Sequence, residues 1–130
     1  VVCIASGGLV PGKLFSELLG IPLGIIVAKR YTLLNRAKPT TYLDAVVKWC
    51  GRKVNAKKIL LVDDLVDEGK TMQQIVGQLQ ANRSASKPLR VDIAVLFFKE
   101  KNVSVNLKPN RLFYYKKAVD WIVFPWEIQP

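Results

Sequence analysis

The 130-residue chain contains no histidine and only two cysteines, Cys3 and Cys50. Without histidine it lacks the usual activating base of serine and cysteine nucleophiles and the commonest transition-metal ligand, so acid–base chemistry falls to carboxylates or lysines. Two cysteines without a framework of spacings make neither a zinc site nor a disulfide scaffold, and both read as reduced structural thiols. No apolar run approaches the roughly 20 residues of a membrane helix, and Val1-Val2-Cys3-Ile4-Ala5 lacks the charged head of a signal peptide. The expectation is a cytoplasmic protein with no membrane partner. An apolar strand at residue 1 has no element before it, so an N-terminal segment is expected to be missing. Internal repeats and low-complexity tracts are absent too.

Half of the residues are hydrophobic, which suits one compact domain over 1–130. Twenty basic against ten acidic residues give a net charge of +10, and an excess of that size invites a nucleic-acid partner. The basic residues are scattered, as Lys29-Arg30, Arg52-Lys53, Lys57-Lys58, Lys99 to Lys101 and Lys116-Lys117, with no aromatic-interleaved basic helix or strand. That scatter argues against nucleic acid and for a solvated surface that attracts an anionic substrate. Against this background Asp63, Asp64, Asp67 and Glu68, four of the ten acids, fall within six residues. Such a concentration calls for a chemical reason, such as magnesium or sugar hydroxyls.

Val1 to Ala5, Leu23 to Ala28, Ile59 to Asp63 and Val91 to Phe98 are short apolar runs of the kind buried on both faces of a parallel sheet. Pro11 to Leu19 predicts a helix stopped by Gly20, and Thr71 to Leu79 another, with Met72, Ile75, Val76 and Leu79 at helical spacing. The order gives an α/β fold with a mainly parallel sheet flanked by helices. Arg36 to Pro39 reads as an exposed loop, Thr40 to Trp49 as loop and strand, and Lys101 to Lys117 as irregular. The core is placed at about 1–98 and a small C-terminal hood at about 99–130.

The run Ile59 to Met72 ends a buried strand in Asp63 and Asp64, then turns through Asp67, Glu68 and Gly69 into a helix starting near Thr71. Unpaired N–H groups at that helix start form an anion-binding nest beside hydroxyl-binding acids, a combination that suits a ribose phosphate. Gly69-Lys70-Thr71 ends like a Walker A loop, but Asp64 stands where that loop needs glycine. Gly7, Gly8 and Gly12 do not reproduce the dinucleotide fingerprint, because Leu9 takes the place of its second glycine.

Val62 to Thr71 resembles, along its length, the phosphoribosyl pyrophosphate signature of type I phosphoribosyltransferases. Ala5 to Pro11, Lys29-Arg30-Tyr31, Lys99 and Trp121 to Glu127 are similar to purine members of that family, the xanthine, guanine and hypoxanthine enzymes of bacteria and archaea. The resemblance implies that Asp63 and Asp64 bind the ribose hydroxyls, directly or through magnesium, and that Asp67 faces the purine N7 as general acid–base. Glu68, Gly69, Lys70 and Thr71 would wrap the 5′-phosphate, and Ser6-Gly7-Gly8 would be the pyrophosphate loop. Lys99 would donate to the 6-oxo group, Trp121 would stack on the purine, and the Ile122 backbone would read its edge. The implied activity is magnesium-dependent transfer of phosphoribose to a 6-oxopurine, in purine salvage, by a homodimer or homotetramer. A flexible loop within Tyr31 to about Lys57 would close over the site.

Two positions depart from the family pattern. Many relatives carry Arg or Lys where this chain has Ser6, and Lys29 or Arg30 is the expected substitute. Glu68 stands where Thr or Ser is common. A carboxylate about 4 Å from a phosphate would cost roughly 4 kcal/mol, so Glu68 is expected to point away. The plainer readings are a solvated acidic turn for Asp63 to Glu68, an ordinary strand–helix turn for Ser6 to Gly8, a surface lysine for Lys99, and core or interface aromatics for Phe124 and Trp126. Rival functions are a regulator of the same fold that binds nucleotide or RNA with little catalysis, and a receiver-like domain using an acidic pair for phosphoaspartate chemistry.

Overall fold

The computed structural model describes residues 1–33, 40–44, 46–107 and 109–127. A six-stranded sheet runs in the order β5-β2-β1-β6-β7-β8, and a separate two-stranded hairpin pairs β3 with β4. Strands β1 (Val2–Ala5), β2 (Gly24–Val27), β6 (Lys58–Val66), β7 (Arg90–Phe98) and β8 (Arg111–Lys117) are parallel, and β5 (Val47–Trp49) lies antiparallel along β2. The hairpin of β3 (Lys29–Leu33) and β4 (Thr40–Asp44) holds Lys29 opposite Asp44 and Leu33 opposite Thr40.

The β-branched runs form the central strands because both of their faces are covered. Alternation along β1 sends Cys3 to one face, with Val62, Ala94 and Phe15 of helix α1 (Leu9–Leu19). It sends Val2 and Ile4 to the other, against Met72, Ile75, Val76 and Leu79 of helix α2 (Lys70–Ala81). Burying each of those four side chains is worth roughly 1.5–3 kcal/mol. Helix α1 ends at Gly20 in the left-handed conformation, φ 63°, the stop the sequence predicted.

The expected strands and helices are all present, and β6 runs further than the sequence marked, through Asp63 and Asp64 to Val66. Thr40 to Trp49 contains β4 and β5. Lys101 to Lys117 is not irregular throughout: Arg111–Lys117 forms β8, the edge strand paired with β7 from Asp92↔Arg111 to Phe98↔Lys117. The expected exposed loop at Arg36 to Pro39 lies outside the described residues, as does part of the expected closing loop. No described helix is long and apolar enough to cross a membrane.

Candidate active site

Because β1, β6 and β7 are neighbours and parallel, the segments leaving their carboxyl ends meet at one edge of the sheet. The Ser6-Gly7-Gly8 turn leaves β1, the acidic turn to α2 leaves β6, and Lys99 follows β7.

The β1 turn is tied by Gly8 N–H donating to Ile4 O at 2.8 Å and Leu9 N–H to Ser6 O at 3.1 Å, and the Ala5–Ser6 peptide is cis. A Cβ on Gly7 would overlap the Asp64 carboxylate, and one on Gly8 would overlap the Val62 carbonyl oxygen and lie 2.8 Å from that of Ile4. Gly8 is therefore required by close approach to backbone, whereas a side chain at Gly7 would displace the Asp64 carboxylate. Ser6 and Gly7 line a cleft, whereas the Gly8 N–H is spent inside the turn.

Asp63 and Asp64 sit side by side, half-buried, with the Asp64 N–H donating to Asp63 Oδ1 at 3.0 Å. Burial, then the neighbouring Asp64 charge, pushes the Asp63 carboxyl up to about 8, and burial raises that of Asp64 as well. No ion pair to either exists among the described residues. Without a metal, the folded chain thus favours the protonated form of Asp63 more than the unfolded chain does. Stability from this group is full below the unfolded value of 3.8 and is lost as pH rises through about 8. Thermal melts of the metal-free protein should show stability falling between pH 5 and pH 9, by a few kcal/mol at most, and Asp63→Asn should flatten that slope. A slope unchanged by Asp63→Asn would reject this assignment.

The acidic turn closes on Gly69, which takes φ 81° at the start of α2, a value that favours glycine. Glu68 is exposed and bonded to Lys70 Nζ at 2.6 Å. Its charge is thereby met by a cation, although the pairing also occupies Lys70. A cavity of about 420 Å³ is lined by Asp63 and by the run from Leu65 to Met72, which includes the first residues of α2.

Lys99 is the buried charged residue among those described, only 5% exposed. Its Nζ lies 3.5 Å from Asp67 Oδ2 and 5.6 Å from the Trp121 ring centroid. Trp121 is 79% exposed. Trp121, Val123, Trp126 and Glu127 wall a second cleft, of about 900 Å³, whose opposite side is Ser6, Gly7, Asp63 and Asp64. Asp63 lines both cavities. Ile122 lies between them in sequence and is half-buried. Phe124 is buried against Phe97 and stacked on Trp126 at 5.1 Å, as the core reading expected, while Trp126 also faces the cleft. The side chains of Lys29 and Arg30, the expected substitutes for a loop cation, lie outside the described residues.

Sequence reasoning passed over three features. Asn102 Nδ2 donates to Asp67 Oδ1 at 2.7 Å, which together with Lys99 fixes that carboxylate at both oxygens. Glu127 accepts from Phe124 N–H at 3.0 Å, holding the hood turn, and its charge acts on Asp64. The segment 99–107 is stitched along the acidic turn by Lys99 N–H to Val66 O and Ser104 N–H to Glu68 O, and Leu107, Val105 and Val103 pack on Gly69. The contacts of Asn102 with Asp67 and of segment 99–107 with the acidic turn span more than 30 residues and leave no local signal.

Over residues 1–130 the sequence matches the family model of the phosphoribosyl transferase domain. Among solved structures it is similar to a purine phosphoribosyltransferase from Pyrococcus horikoshii, at 28% identity and TM-score 0.69, over 99% of this chain and 76% of that one. It is similar to a hypothetical protein from Neisseria gonorrhoeae with bound ppGpp, at 25% identity and TM-score 0.71, over 98% and 72%. A xanthine-guanine-hypoxanthine phosphoribosyltransferase from Helicobacter pylori shares 25% identity at TM-score 0.69, over 98% and 75%. The mostly parallel sheet with its flanking helices is the type I phosphoribosyltransferase fold. With every residue inside the match and the acidic turn, glycine turn and hood gathered on one edge, the chain belongs to the phosphoribosyl transferase domain family.

Proposed function

We propose that this protein transfers the phosphoribosyl group of phosphoribosyl pyrophosphate to a 6-oxopurine, releasing pyrophosphate and a nucleoside monophosphate. The observation that carries the reading is Asp63, shared by a cavity over the α2 start and a broad cleft between the glycine turn and the hood. A ribose at the Asp63-Asp64 pair would send its 5′-phosphate into the first and its leaving group and incoming base into the second.

Magnesium fits this donor set. No group of three metal-ligating side chains exists among the described residues. Magnesium commonly uses only one or two carboxylates and completes its shell with substrate phosphates. Asp63 and Asp64 would hold it, and it would neutralise charge on the departing pyrophosphate. The remaining work falls to the chain. N–H groups of Gly69 to Thr71 bind the 5′-phosphate, and those of Ser6 and Gly7 face the pyrophosphate. Trp121 and Lys99 hold the purine so that its nitrogen meets C1′ as the C1′–pyrophosphate bond breaks. Asp67, held by Asn102, exchanges the proton at N7. The hood excludes water from the oxocarbenium-like state.

A steady-state assay of pyrophosphate release with guanine, xanthine, hypoxanthine and adenine tests this reading, and absence of turnover with all four overturns it. Trp121→Ala should raise KM for the base about tenfold, since base–aromatic stacking is worth about 1–3 kcal/mol, with little change in KM for phosphoribosyl pyrophosphate. Equal effects on both KM values would remove Trp121 from the base site.

A second reading is a regulator that binds nucleotide in this site with little turnover. Its support is the Glu68–Lys70 pair, which places a carboxylate beside the phosphate cavity and engages its lysine. Titration with guanosine nucleotides, run beside the turnover assay, separates the two.

A further inference from the structure

We propose that the amino edge of the sheet, opposite the candidate active site, is a docking surface for single-stranded nucleic acid. In sequence the basic residues look scattered, and that scatter was the ground for expecting no such partner. The fold removes it. Because β6 and β7 are parallel and β5 is antiparallel to β2, the loops at 50–58 and 82–89 return to the same edge.

These two loops carry Arg52, Lys53, Lys57, Lys58, Arg83 and Lys87, six of the twenty basic residues, and none of the ten acidic ones. They are bound to each other. Arg83 donates to Asn55 Oδ1 at 2.8 Å and to Ala56 O at 2.6 Å, and Arg90 N–H donates to Lys57 O at 3.1 Å. The cations are therefore presented by one fixed platform rather than by two independent loops. Seven of the ten acids, namely Asp63, Asp64, Asp67, Glu68, Glu100, Asp120 and Glu127, lie on segments at or beyond the carboxyl ends of the strands. The molecule is polarised, and a polyanion would approach by its basic edge.

Two adjoining depressions of about 710 and 380 Å³ indent this platform, with Asn55 and Arg83 lining both. The larger has the half-buried Trp49 ring in its wall beside Lys53 and Asn82, and the smaller has Lys57, Ser86 and Lys87. Cations for phosphates, amides and hydroxyls for polar edges, and an aromatic ring for a base form a set suited to an unpaired strand. An anionic membrane is the other polyanion to consider. It would favour several exposed apolar side chains among the cations; the two loops carry no exposed large hydrophobic residue, and of those lining the depressions only Val46 is exposed, at 60%.

The test is fluorescence anisotropy of the intact chain with a labelled mixed-sequence single-stranded RNA, titrated at several salt concentrations. Binding should weaken with salt, by about 0.7 log unit per log unit of salt for each phosphate neutralised. The triple variant Lys53→Gln, Lys57→Gln, Lys87→Gln should lose at least tenfold in affinity and about two units of that slope, with unchanged thermal stability and turnover. A control triple at other positions, Lys13→Gln, Lys101→Gln, Lys116→Gln, should bind as the parent does. The proposal is overturned if RNA does not bind at low salt, or if the two triples lose affinity equally. Binding of phosphatidylserine vesicles through the same lysines, without RNA binding, also overturns it.

Discussion

Asp67→Asn is expected to lower turnover by about two to four orders of magnitude, the range that a positioned general acid–base supplies. The fold should survive. Asp67 is 45% exposed at its side chain, and an asparagine keeps the shape and an oxygen that accepts from Asn102. What is lost is the exchangeable proton and the negative charge beside Lys99, whose Nζ lies 3.5 Å away in a buried position. Steady-state kinetics should show the fall in kcat with KM for phosphoribosyl pyrophosphate near the parent value. Asn102→Ala supplies the companion result. It leaves the carboxylate in place but frees it from its 2.7 Å donor, so kcat should drop by about tenfold. Parental turnover in Asp67→Asn would transfer the proton step to another group.

Gly8→Ala should be strongly destabilising. The added carbon would collide with the carbonyl oxygens of Val62 and Ile4, backbone atoms of the two central strands β6 and β1. No side chain can turn aside to admit it, and the strands are fixed by their own ladder. Overpacking of this kind costs about 1–3 kcal/mol or more, which corresponds to a melting temperature lower by roughly 5–10 °C in a domain of this size. The turn would also move off Asp64, so binding of phosphoribosyl pyrophosphate should fail even in protein that remains folded. Gly20→Ala is the contrast: φ is 63°, but nothing lies within 4 Å, so the cost is that of the backbone alone, about 1 kcal/mol. Differential scanning fluorimetry of both variants decides the matter, and equal melting temperatures would refute the packing argument.

The acidic turn was legible in the sequence because its causes are local. An apolar run of β-branched residues, two acids, a glycine and a helical period occur within fourteen positions, and the structure arranges them as that order requires. The fold class followed from the same kind of signal in β1, β2 and β7. Strand β8 was not legible for a physical reason. Arg-Leu-Phe-Tyr-Tyr-Lys-Lys at the edge is mostly exposed, with only Leu112 half-buried, so no apolar alternation marks it and pairing with β7 decides its form. Asn102 and the basic platform were hidden differently. Each depends on which loops the topology brings together, which no window of sequence contains. Glu68 was expected to avoid a ligand by orientation, and its pairing with Lys70 adds a partner that spacing alone did not assign.

The seam between the acidic turn and segment 99–107 also sets a timetable. Gly69 is covered by Val103, Val105 and Leu107, and the Glu68 carbonyl is met by Ser104, so the turn takes its final shape only once those residues can reach it. During synthesis the ribosome makes the acidic turn about 30 residues before the segment that completes it. A nascent chain ending before Ser104 can pair β1 with β6 but cannot close over a phosphate. Competence therefore arrives after the acidic turn itself is made, and before β8 (Arg111–Lys117) completes the sheet.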